Sequence, residues 1–183
     1  SGLAQIAKTR PYLWENHRDA IAQGYLTPGI SAAISFPTGA GKSTLSELKI
    51  LSNLCLGKDT IFLAPTLALV DQTARALQNL FPTAQLSRER ASDNPFDFDV
   101  GVRLPPISVM TPERCLALMG FQSELFQNVG LLVFDECHLL HASVNDRSQR
   151  AIDAMLCILN LSTHAPAADY LLLSAMMSNA EEV

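Results

Sequence analysis

Paired cysteines are missing from this sequence. Its four cysteines, Cys55, Cys115, Cys137 and Cys157, stand far apart with no Cys-x-x-Cys spacing, which argues against zinc-knuckle and thiol-redox arrangements and leaves reduced thiols as the expected state. No apolar run approaches the roughly 18 residues of a membrane span, so the chain reads as soluble and intracellular. Positive charge is also scarce. Thirteen Lys and Arg against eighteen Asp and Glu give a formal net charge of −5, so any polyanion would have to be held by local groups rather than by a broadly basic surface. Repeats, heptads and low-complexity tracts are absent. Ser1-Gly2 lacks the basic and apolar regions of a signal peptide and reads as the remnant of a cleaved tag, so the domain is taken as residues 3–183.

What is present is apolar and alternating. Of 183 residues, 48% are hydrophobic, enough for one domain of this length to bury roughly 70% of its unfolded surface. Short apolar runs at 30–36, 60–64, 107–110, 131–134 and 170–173 predict strands. Between them, 44–56, 67–81, 112–119 and 149–161 carry apolar residues three and four apart and predict helices. Strands alternating with crossover helices imply an α/β fold in three layers with a mainly parallel sheet, whose ligands sit at the carboxyl ends of the strands. The segment 89–106, with Asn94-Pro95 and Pro105-Pro106, reads as a surface insertion.

The chemistry falls at those strand ends. After the first predicted strand comes Pro37-Thr38-Gly39-Ala40-Gly41-Lys42-Ser43-Thr44 and then a helix, the arrangement of a Walker A phosphate loop. Its glycines let backbone N–H groups turn toward phosphate oxygens, the helix directs its positive end at them, and Lys42 neutralises β/γ charge. Ser43 offers a hydroxyl to Mg²⁺. Phe36 stands where the strict pattern has glycine. Thr38, Gly39, Ala40, Gly41, Lys42, Ser43 and Thr44 are therefore the candidate nucleotide-binding residues.

A second strand, Gly130-Leu131-Leu132-Val133-Phe134, ends in Asp135-Glu136-Cys137-His138. An acid at a strand end can hold Mg²⁺, and its neighbour can orient and deprotonate the water of an in-line phosphoryl transfer. Asp135 is assigned to the metal and Glu136 to the water. Cys137, His138 and His141 lack a fourth ligand at a sensible spacing, so coupling or structural roles are preferred to metal binding.

With both motifs in place the chain resembles the DExH-box helicases of superfamily 2 over about residues 13–183, with the first RecA-like lobe as the implied fold of the P-loop class. Ala64-Pro65-Thr66-Leu67-Ala68-Leu69-Val70-Asp71-Gln72 resembles motif Ia, and Thr111-Pro112-Glu113-Arg114 resembles motif Ib. Thr111 is a good N-cap with Pro112 at the first helical position, so that helix N-terminus could receive a nucleic-acid phosphate without net basic charge. Thr66, Thr111 and Arg114 are the candidate nucleic-acid contacts, with Arg88, Arg90 and Arg103 as further local charge or simply solvated residues. Ser174-Ala175-Met176 resembles the coupling motif III, which in the family is Ser-Ala-Thr. Leu13-Trp14-Glu15-Asn16-His17 resembles the adenine-reading segment. His17 replaces the usual Gln there, and one imidazole cannot match the bidentate amide–adenine pairing, so strict ATP preference is not implied; a core histidine without a ligand is the alternative. The box Asp135-Glu136-Cys137-His138-Leu139-Leu140-His141 looks most like the Ski-like branch, and His138 joins Lys42, Asp135 and Glu136 in the catalytic set that the resemblance implies.

The resemblance implies ATP with Mg²⁺, a DNA or RNA partner with DNA favoured, and a second RecA-like lobe in cis carrying an arginine finger. The chain ends just after motif III, so the fragment alone is expected to bind nucleotide poorly and hydrolyse it very slowly. A double-strand translocase would use the same lobe. A nucleotide-insensitive binding module is opposed by the intact Lys42, Ser43, Asp135 and Glu136, and a small-molecule kinase has no use for Thr111-Pro112-Glu113-Arg114.

Overall fold

A computed structural model describes residues 2–9, 12–36, 41–90, 103–135 and 146–175. The chain begins with two eight-residue helices, α1 (Gly2–Thr9) and α2 (Glu15–Ala22). Strands and helices then alternate: β1 (Ala32–Phe36), α3 (Lys42–Cys55), β2 (Asp59–Leu63), α4 (Leu67–Leu80), β3 (Leu86–Arg88), β4 (Ile107–Met110), α5 (Pro112–Phe121), β5 (Val129–Phe134), α6 (Asp146–His164) and β6 (Asp169–Ala175). The six strands form one sheet in the order β1-β6-β5-β2-β4-β3, and every neighbouring pair is parallel. The predicted three-layer α/β architecture is therefore the observed one.

Continuous apolar strands still divide their side chains between two faces, because successive residues of a strand point to opposite sides. In β5, Leu131 and Val133 join a core with Leu45, Ile50, Val70 and Leu77 of α3 and α4. Leu132 and Phe134 join the opposite core, with Cys115 and Leu118 of α5 and Cys157 and Leu161 of α6. Each face buries its own cluster, and the sheet is the middle layer.

Four features differ from the sequence-based expectation. The first strand begins at Ala32 rather than at residue 30, because the Ile30 carbonyl accepts a hydrogen bond from Lys49 Nζ at 3.0 Å instead of entering the ladder. A short edge strand, β3, precedes the expected insertion. The last strand runs on through Ser174 and Ala175, so these residues lie within β6 and not after it. Finally, two helices precede the first strand where none was predicted: α1, which contributes Ile6 to the core at 3% exposure, and α2.

A buried ion pair fastens the start of β6 to α3. Lys49 Nζ lies 2.9 Å from Asp169 Oδ2 and also donates to the carbonyls of Tyr25, Thr27 and Ile30 at 3.0–3.1 Å. The ammonium is thereby neutralised and hydrogen-bonded together, as a buried charge must be.

Candidate functional site

Because all strands are parallel, their carboxyl ends share one edge, and the sequence motifs are distributed along it in two groups. On one side lie β1, β6 and β5. Phe36, immediately before the phosphate loop, pairs with Ala175, while Ser35 pairs with Ser174. Phe134, immediately before Asp135, pairs with Leu172. Strand β6 therefore runs between β1, which leads into the phosphate-loop segment, and β5, which leads into Asp135. On the other side lie β2 and β4, with Leu63 opposite Met110 and, across the junction, opposite Phe134. The segments after β2 and β4 are those that resemble motifs Ia and Ib.

The described part of the phosphate loop has the geometry its sequence demands. Gly41 is the N-cap of α3 with φ +91°, a left-handed conformation that L side chains rarely adopt. Its carbonyl accepts the Thr44 N–H at 3.0 Å and closes the first turn. Thr44 is buried at 3% and packs inward, whereas Ser43 is exposed and Lys42 half-buried. Thr38, Gly39 and Ala40 lie outside the described residues, as do Glu136, His138, His141 and Met176. At the acidic strand, the Asp135 N–H donates to the Leu63 carbonyl at 3.2 Å, fastening Asp135 to the end of β2. The exposed hydroxyl of Ser43 and the carboxylate of Asp135 are both hard oxygen donors at the same sheet edge, a donor set suited to Mg²⁺.

His17 is not at a solvent-facing edge. It is 1% exposed, its Nδ1 accepts the Trp14 N–H at 3.3 Å, and its ring stacks on Trp14 with centroids 6.3 Å apart. A Cβ built on Gly41 would lie 2.1 Å from His17 Nε2. The imidazole thus occupies the space that a side chain at 41 would need, a contact across 24 residues that local sequence reasoning could not find.

At the segments that resemble motifs Ia and Ib, Thr111 is the expected N-cap and Thr66 is one as well. Thr66 accepts the Leu69 N–H and Thr111 accepts the Arg114 N–H, each at 3.3 Å, with Pro112 in the first turn of α5. The surroundings are less open than expected. Thr111 is 8% exposed, its N–H donates to the Glu89 carboxylate at 2.7 Å, the Arg114 N–H is taken by the Thr111 hydroxyl and Pro112 has none, so three positions of this terminus offer no free donor. Arg114 is half-buried. Arg88 pairs with Asp71, which also pairs with Arg75. Arg75, Arg88 and Arg90 line one groove of about 490 Å³ between α4 and β3. Arg103 is the clearest correction. It binds Asp59 at 2.9 Å and 3.2 Å at the amino end of β2, away from the functional edge, and the carboxylate beside it holds its guanidinium further toward the charged form than usual.

The described cysteines, Cys55, Cys115 and Cys157, are free. Hydrogen bonding to Cys115 and burial push the Cys157 thiol up, away from the reactive thiolate. Among the described residues no His, Cys, Asp and Glu cluster could hold a metal ion, and no helix is long and apolar enough to cross a membrane.

A parallel three-layer α/β domain with a glycine-capped phosphate loop and an acid-ended strand flanking one central strand is a RecA-like domain of the P-loop class. The DEAD/DEAH box helicase profile matches residues 14–183, and the chain belongs to that family. It is 26% identical to an ATP-dependent DNA helicase Hel308 of Thermoplasma volcanium, an alignment covering 93% of this chain and 24% of that protein. It is 29% identical to an ATP-dependent DNA helicase MER3 homolog of Oryza sativa subsp. japonica, covering 84% of this chain and 15% of that protein. The chain thus spans a quarter or less of these relatives' length. Among solved structures it superposes on the DUF1998 helicase MrfA with a TM-score of 0.74 at 17% identity, over 97% of this chain and 29% of that one. The Hef helicase domain of Pyrococcus furiosus gives 0.67 at 22%, over 90% and 33%.

Proposed function

We propose that this chain is the ATP-binding lobe of an ATP-dependent helicase of the Ski-like branch, an intracellular enzyme that couples ATP hydrolysis to translocation along DNA and to strand separation. The observation that carries the reading is the seat of β6: its residues Leu172 and Ala175 are register partners of Phe134 and Phe36, the last residues before Asp135 and before the phosphate loop. A group that changes shape on hydrolysis would press on the strand that lies between the two halves of the site. The relatives' names favour DNA over RNA.

In this reading Thr38, Gly39, Ala40 and Gly41 wrap the phosphates, Lys42 balances their charge, and Thr44 closes the helix turn behind them. Ser43 and Asp135 would hold Mg²⁺, which when bound neutralises charge on the transferring phosphate. Glu136 orients and deprotonates the attacking water, and His138, with Ser174, Ala175 and Met176, links the site to the nucleic-acid half. Thr66, Thr111 and Arg114 contact the phosphate backbone. A second RecA-like lobe in cis would supply an arginine finger, worth on the order of 10³–10⁵ in rate.

The test uses the full-length protein. Lys42→Ala and Glu136→Gln should each abolish DNA-stimulated ATP hydrolysis, and only Glu136→Gln should still bind ATP. Turnover near that of the unmodified protein in either variant would remove the ATPase assignment.

A further inference from the structure

Positive charge is scarce in this chain, with thirteen Lys and Arg in 183 residues, yet three arginines meet at one groove. Arg75 comes from the third turn of α4, Arg88 from the end of β3 and Arg90 from just beyond it, and all three line the cleft between the two elements. Gln78 lines it as well, and neither an acid nor an aromatic ring does. A single carboxylate, Asp71, pairs with both Arg75 and Arg88, so one negative charge answers two positive ones. The Arg75 side chain is still 72% exposed. Ion pairs so open to water hold their partners weakly, and a stronger anion can take them over.

The groove is continuous with the segments that resemble motifs Ia and Ib. One wall is α4, capped by Thr66. The other is β3, and Glu89 just after it accepts the Thr111 N–H at 2.7 Å. From Thr66 to Arg75 the helix rises about 14 Å, so a ligand beside Arg75 lies well beyond these caps. The guanidinium fork matches phosphate oxygens in pairs, and the Gln78 amide adds an uncharged donor. Without an aromatic ring there is no platform for a base.

We propose that this groove is a further nucleic-acid site, in which Arg75, Arg88 and Arg90 hold the phosphodiester backbone of one strand without reading its bases. Its volume of about 490 Å³ is that of a small-ligand cleft, room for the backbone of a single strand and too little for a double helix, whose major groove alone is about 12 Å wide. The inference rests on the nucleic-acid reading above and adds to it a path for the strand past the two caps.

The experiment titrates a fluorescent single strand, and a duplex of the same length, with the full-length protein over a range of salt concentrations. Arg75→Gln, Arg90→Gln and the double variant are compared with Lys58→Gln, which removes the same charge from an exposed position at the amino ends of the strands. Both arginines are exposed, so their variants should melt with the unmodified protein. On the single strand the fall of log affinity with log salt should become shallower by about 0.7 for each arginine lost, equally for oligothymidine and for a mixed sequence. Lys58→Gln should leave that slope alone. Asp71→Asn releases Arg75 and Arg88 to phosphate and should tighten single-strand binding. An unchanged slope in the double variant overturns the proposal. So does an equal change in Lys58→Gln, which would make the effect one of net charge, or a loss that depends on base sequence or is confined to the duplex. Weaker binding by Asp71→Asn would show that the cluster serves the fold, and overturns it too. If the unmodified protein binds neither DNA, the nucleic-acid reading itself falls.

Discussion

Replacing Lys49 by methionine removes the ammonium while keeping most of the stem, and the structure allows the cost to be worked out. The Lys49 and Asp169 side chains are 5% and 8% exposed, so the substitution leaves a buried carboxylate without its counter-charge, a change worth about 3–5 kcal/mol. Three carbonyls lose a donor as well. The contact to Tyr25 is buried, while those to Thr27 and Ile30 are partly open to water, so only the first adds a substantial penalty, about 1 kcal/mol or a little more. Both residues line a groove of about 530 Å³ at the amino ends of β5 and β6, and water entering there keeps the sum near the lower end, about 4–5 kcal/mol. Asp169→Asn leaves the ammonium its three carbonyls and should cost less, about 1–3 kcal/mol. Since domains are stable by only about 5–15 kcal/mol, the loss in Lys49→Met is between about a third of that stability and nearly all of it. Urea unfolding followed by far-ultraviolet circular dichroism, extrapolated linearly to water, measures both variants. If Lys49→Met costs less than Asp169→Asn, or under about 1 kcal/mol, the pair is not the fastening described.

Gly41→Ala should destabilise by about 2–4 kcal/mol, part from the left-handed backbone and part from the collision with His17, and only by about 1–2 kcal/mol when His17 is already alanine. Additive losses in a denaturation cycle would remove that contact. Thr111→Ala should lose an N-cap worth about 1 kcal/mol and weaken binding of a fluorescent single strand measured by anisotropy. Arg103→Ala should leave that binding unchanged while lowering the melting temperature, because Asp59, 1% exposed, is left buried without its partner; weaker DNA binding in this variant would return Arg103 to the nucleic-acid side.

The motifs were legible because phosphate chemistry demands short residue patterns at strand ends, and a parallel sheet brings those ends to one edge. Periodicity found the five longer strands and the four helices packed on them to within a few residues. It missed β3, whose three half-buried residues pair with β4, and the two amino-terminal helices, α1, where eight residues bury the single large side chain Ile6, and the equally short α2. Motif III was read as a loop because Ser174 and Ala175 carry little apolar signal; their strand conformation comes from pairing with Ser35 and Phe36, far away in sequence. The settings of His17 and Arg103 depend on similarly distant partners, Gly41 and Asp59, which spacing cannot show.

The position of β6 also has a consequence for the order in which the molecule can form. Among the described residues β1 pairs with β6 alone, and the register joins Ala32 to Leu171 across 139 positions. Strands β2, β4 and β5 can pair with one another while the ribosome is still making the rest, but β1 must wait as an open edge until nearly the last strand emerges. Contacts of such long range are slow to form and leave strand edges exposed to aggregation meanwhile. The β2, β4 and β5 side of the sheet can therefore take shape first, and the seat of the phosphate-loop strand β1 is the last part of the sheet to come into existence.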